Sequence, residues 1–154
     1  MHPFAGTSLE IILSGLTAAF VAQLIKFFIY WLTQRQVNFR LFFQTGGMPS
    51  SHSAWMVAMA TSVGLIEGFD STLFAVAFGI AMIVMYDAAG LRRSAGKMAG
   101  VLNAIVADIY TDHQERFPER LMELLGHTPI EVIVGGIQGF FTAYLFHLKM
   151  SGGL

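Results

Sequence analysis

The chain has 154 residues, 55% of them hydrophobic and 12% charged, with a net charge of −1 and no cysteine. A soluble domain carries about 25% charged residues, so composition favours an integral membrane protein over an apolar soluble bundle, and the length suits one domain, 1–154. Near-zero charge leaves no nucleic-acid footprint, and the lack of cysteine excludes disulfides and thiol catalysis.

The N-terminal MHPFAGTSLE has no basic leader before its first apolar run, so a cleaved signal peptide is not expected. Thr7 and Glu10 have the spacing of a capping box. A first membrane helix is expected over about 9–33, its apolar run starting after Glu10 and interrupted by Lys26. An ionisable residue there is either functional or a snorkelling lysine near the helix end. Ser14, Ala18 and Ala22 form a small-residue stripe suited to close helix approach.

Next comes GGMPSSHS, residues 46–53, with Arg35 and Arg40 upstream. Gly46 and Gly47 allow the backbone to fold back, and a serine can cap the helix that follows. A helix start with exposed N–H groups favours an anion, and His52 adds a proton donor. An ordinary helix start with an incidental histidine explains the stretch equally well. Further spans are expected over about 51–66 and 71–91, joined at Gly64–Asp70 in a tight turn. Runs of about 14 to 16 uncharged residues are short against the roughly 20 of a full span, so either their polar ends sit at headgroup depth, the favoured reading, or some of them are re-entrant.

YDAAGLRRSAG follows, with Arg92 and Arg93 expected to close the third helix. Arginine pairs hold phosphate oxygens through planar paired hydrogen bonds, and Asp87 could orient one of them. Headgroup anchoring is the plainer reading. Over about 94–125 the apolar residues Met98, Val101, Leu102, Ile105 and Ile109 recur at helical spacing with polar residues between them. That pattern predicts an amphipathic insert on the bundle or on the membrane surface, with a second short helix from Pro118 to Gly126. Asp108 and Asp112 lie one helical turn apart, but the amphipathic surface accounts for them, and no metal or cofactor is expected.

GHTPIEVIVGG opens the last span, about 129–148. Thr128, Pro129 and Glu131 form a complete capping box. His127 and Glu131 are four apart at the helix start, where a carboxylate could polarise an imidazole into a better nucleophile. Gly135 and Gly139 have GxxxG spacing and need no role beyond packing. The fold expected is therefore an all-α integral membrane bundle of about four transmembrane helices plus an amphipathic helical insert.

Four crossings place GGMPSSHS, Asp87, Arg92, Arg93, His127 and Glu131 on one side, with eight of the nine Lys and Arg residues. The positive-inside rule makes that side cytoplasmic, although arginines that bind phosphate are not topology signals. Two histidines, several cations and an anion-binding helix start on one face suit phosphoryl transfer from a lipid phosphate.

TGGMPSSHSA, MYDAAGLRR and GHTPIEV together resemble the divergent, short branch of the type 2 phosphatidic acid phosphatase family, related to vanadium haloperoxidases, over about residues 9–145. The resemblance implies His127 as the nucleophile that forms a phosphohistidine, His52 as general acid and Glu131 in place of an orienting aspartate. It implies Lys26, Arg35, Ser50, Ser51, Arg92 and Arg93 as phosphate ligands, with Asp87, Gly46 and Gly47 supporting. The chain departs from the family in four ways. Eight residues rather than six separate Lys26 from Arg35, with no proline; Ser51 replaces a glycine; glutamate replaces aspartate; and a long segment separates Arg93 from His127. Six helices are reduced to about four, which a homodimer would supplement. The implied substrate is a phospholipid or polyprenyl phosphate, with phosphatidylglycerophosphate first. The implied location is a bacterial plasma membrane or organellar equivalent. The alternative is a non-catalytic lipid-phosphate-binding membrane protein, a transporter or an assembly partner.

Overall fold

The computed structural model describes residues 2–35, 47–110, 121 and 126–153, with only the backbone described at 91–93, 109 and 110. It contains five helices among these residues: α1 (Ser8–Gln34), α2 (Ser51–Glu67), α3 (Thr72–Ala89), α4 (Leu91–Tyr110) and α5 (Pro129–Ser151). The helix expected from Pro118 lies outside the described residues. By length and composition α1, α5 and the run that begins with α3 can cross a membrane. With 17 residues, about 26 Å, α2 is shorter than a full span. It nevertheless packs against α1, α3 and α5 at the middle of the bundle.

Side-chain contacts fix the helix directions. Ser14 on α1 meets Ser62 on α2 at 2.6 Å, and Gln23 donates to Ser51 at 3.4 Å, so these helices are antiparallel. Gly135 faces Ser50 and Gly139 faces Ala54, so α5 runs parallel to α2. A Cβ at either glycine would collide with the Ser50 or Ala54 carbonyl, which is why this face of α5 carries no side chain. The core is correspondingly built from alanine: Ala18, Ala22, Ala54, Ala58 and Ala143 are fully buried. The expected small-residue stripe lies inside it. Large apolar residues such as Phe20, Ile83, Ile133 and Phe141 point outward, the arrangement expected where lipid rather than water surrounds the bundle.

Two elements differ from expectation. The arginine pair does not close α3: that helix ends at Ala89, with Gly90 as its cap, and Arg92 and Arg93 fall in the first turn of α4. Gly90 has ψ −79°, well away from the helical value of about −42°, and this interrupts the helix there. At the start of α1 no capping box forms, because Thr7 makes no side-chain cap and its hydroxyl donates to the Phe4 carbonyl. Glu10 is instead fully buried, accepting from the Gly6 N–H at 2.6 Å and pairing with His147 Nδ1 at 2.6 Å. The distant histidine on α5 outcompetes the local cap.

Candidate functional site

The entrance to α5 assembles from local chemistry. Thr128 caps the helix, with its hydroxyl accepting from the Glu131 N–H at 3.4 Å. Glu131 Oε2 accepts from the Thr128 N–H at 3.0 Å and also meets His127 Nδ1 at 3.1 Å. One carboxylate thus closes the capping box and orients the imidazole, so the structural and chemical uses of Glu131 coincide. The His127 N–H donates to the Ala88 carbonyl at 3.0 Å, which pins this loop to the end of α3.

The second wall is the segment before α2. Gly47, in the left-handed region at φ 80°, lies over the Lys26 stem, and its backbone also hydrogen-bonds the His127 ring. The Ser50 N–H donates to the Glu131 carbonyl at 3.0 Å, so the start of α2 is docked directly on the start of α5. Ser50 is fully buried, and its hydroxyl oxygen accepts from the Ser53 N–H at 3.3 Å and the Ser53 hydroxyl at 2.9 Å. Ser51, half-buried beside Gln23, is the more accessible of the two serines.

Lys26 forms the third wall. It is 6% exposed, and its Nζ has no hydrogen-bond partner. Its charge is felt by both Glu131 and His127. A buried ammonium with unsatisfied donors is costly, and its natural complement is an anion. Burial holds the His127 imidazole below its usual range. The Glu131 hydrogen bond and charge oppose that fall, Lys26 adds to it, and the Gly47 backbone opposes it slightly. The imidazole is therefore biased toward its neutral form, the one that can act as a nucleophile.

The structure brings Lys26, Gly47, Ser50, His127 and Glu131 into one cluster. His52 is half-buried in the first turn of α2, and Asp87 is half-buried beside Ala88, both at the same end of the bundle. Arg35 is exposed, at a left-handed C-cap with φ 52° about 13 Å further along α1 than Lys26. It is thus the member of the expected set set furthest from the cluster along that helix. Arg92 and Arg93 lie in the turn after α3, and Gly46 lies outside the described residues. Sequence patterns did not show Gln23 as a neighbour of Ser51, nor the Glu10–His147 pair at the opposite end. The only local hint was that each is a polar side chain within an apolar helix. Among the described residues no group of three or more His, Asp or Glu side chains could hold a metal ion.

No solved structure matches the chain. It is 44% identical over 149 residues to the uncharacterized membrane protein YuiD of Bacillus subtilis (strain 168), covering 88% of this chain and 94% of that relative. It is an integral membrane protein by its apolar helices and by this likeness. Residues 7–142 match the Divergent PAP2 family, and with that match spanning most of the sequence the chain belongs to this family.

Proposed function

We propose that the chain is a lipid phosphate phosphatase that works through a phosphohistidine. The observation that carries this reading is the buried, unpartnered Lys26 ammonium beside the His127–Glu131 pair. With Nδ1 held by Glu131, Nε2 attacks phosphorus, and the bond from phosphorus to the lipid oxygen breaks. His52 protonates that oxygen as it leaves. Water then attacks the phosphohistidine, giving up its proton to His52, and phosphate departs with His127 restored. Lys26, the dipole of the α2 start and Ser51 stabilise the equatorial oxygens, with Arg92 and Arg93 supplied from the start of α4.

Phosphatidylglycerophosphate is the proposed substrate, ahead of phosphatidate and polyprenyl diphosphate, because the family resemblance points there and because the basic residues favour a cytoplasmic-facing site. A homodimer supplies the helices missing from the six-helix family bundle; crosslinking in native membranes that yields monomer alone would count against it. The deciding experiment measures phosphate release from the three lipids by purified protein in lipid nanodiscs, beside His127→Ala. Release that falls at least ~10³-fold with the substitution supports the phosphatase. Absence of release from folded protein that still binds the phosphate lipids would replace it with a non-catalytic binder.

A further inference from the structure

The strongest feature outside the site is the outward face of α4. Met98, Val101, Leu102 and Ile105 are each about half exposed or more, and all lie on one stripe. On the opposite side Gly96 is buried and Gly100 half-buried, and Ala99, at the flank, is buried. In a soluble protein the large apolar residues would face the core and the small ones would be free to face out. Here the order is reversed. Among the described residues α4 contacts α3 and no other helix, so none of the described helices covers the stripe. Asn103 Nδ2 donates to the Leu121 carbonyl at 2.9 Å, and the Leu121 N–H donates to Asn103 Oδ1 at 3.0 Å, which places Leu121 on a side of α4 away from the stripe.

Two observations specify what covers it. First, the 18 residues of α3 rise about 27 Å, close to the ~30 Å hydrocarbon thickness, so α4 begins at the membrane boundary. The segment also returns to that boundary, because His127 after it bonds to Ala88 before it. Second, the start of α4 is basic, with Arg92, Arg93 and Lys97 in its first two turns and Asp108 only near its end. That polarity complements anionic lipid headgroups.

We propose that α4 lies in the membrane plane on the site side, with Met98, Val101, Leu102 and Ile105 inserted at the headgroup–acyl boundary of anionic lipid. The proposal does not depend on turnover at His127.

The cysteine-free chain makes the test direct. Single cysteines at 98, 101, 102 and 105, and at 97, 104 and 107, are spin-labelled in vesicles of phosphatidylcholine and phosphatidylglycerol. Collision with oxygen is compared with collision with a water-soluble nickel chelate. The expected result is a 100° periodicity, with oxygen favoured severalfold at the first four positions and the chelate at the other three. Chelate access at all seven positions would place α4 in water and overturn the proposal. Shielding of the first four from both reagents would also overturn it, since a second copy of the chain would then cover the stripe. The variants all replace exposed side chains, and an unchanged thermal transition before labelling verifies the fold.

Discussion

The His127 ring is tuned by neighbours that pull in opposite directions, and each can be removed separately. Burial lowers its proton affinity most; Glu131 opposes that fall and Lys26 adds to it. Gln can still fill the capping-box position, so Glu131→Gln should keep the helix start while shifting the acidic limb of the rate profile to lower pH. Lys26→Met should move the same limb upward, and should weaken substrate binding at least tenfold. Its stability should stay within about 1 kcal/mol of the parent, because Nζ gives up no hydrogen bond. Profiles that shift the same way in both variants would remove Lys26 from the site. His127 and Glu131 were legible as a motif because four residues bring them together on one helix start. Lys26 was legible only as a charge in an apolar run; its contact with Gly47 crosses two elements and leaves no periodic trace.

At the scale of helices, the bundle was readable because apolar runs and caps are local. Their partnerships were not. The capping box at Thr128 forms, whereas the similar pattern at Thr7 does not, since Glu10 finds His147 at the far end of α5. Nothing in a short window distinguishes the two cases. GxxxG spacing foretold a close approach but not its partner, which is the start of α2. Gly135→Ala should therefore lower the thermal transition of the purified protein and also impair activity, because its Cβ meets Ser50, whose N–H is bonded to Glu131. Gly139→Ala, one turn further from the site, should cost stability of about 1–3 kcal/mol with less effect on turnover. Gly79→Ala, with nothing near its added carbon, should be neutral or stabilising by up to about 1 kcal/mol. Equal losses from all three would mean that helix–helix approach is not the reason for these glycines. The Ser14–Ser62 bond, sealed between α1 and α2, should show a coupling near 0.6 kcal/mol in a double-mutant cycle read by unfolding.

For the whole molecule, the two ends of the described chain meet. The His2 N–H donates to the Met150 carbonyl at 2.9 Å, next to the Glu10–His147 pair. They share one membrane face, and the His127 cluster occupies the other. With the site facing the cytoplasm, cysteine at 151 in intact cells should react with an impermeant maleimide and cysteine at 97 should not. The reverse pattern would overturn the proposed sidedness and leave the fold intact.

The parallel course of α2 and α5 is a matter of parity. Two helices that carry His52 and His127 at their starts meet on one face only if an odd number of crossings separates them, and α3 supplies one. A segment between α3 and α5 can therefore vary in length and composition as long as it never becomes a span. Replacing Lys97 and Asn103 with leucine would invite α4 to cross. That change would send α5 in backwards and leave one histidine on each face of the membrane, without altering any residue of the cluster. The polar residues of α4 thus protect the site through topology rather than through contact.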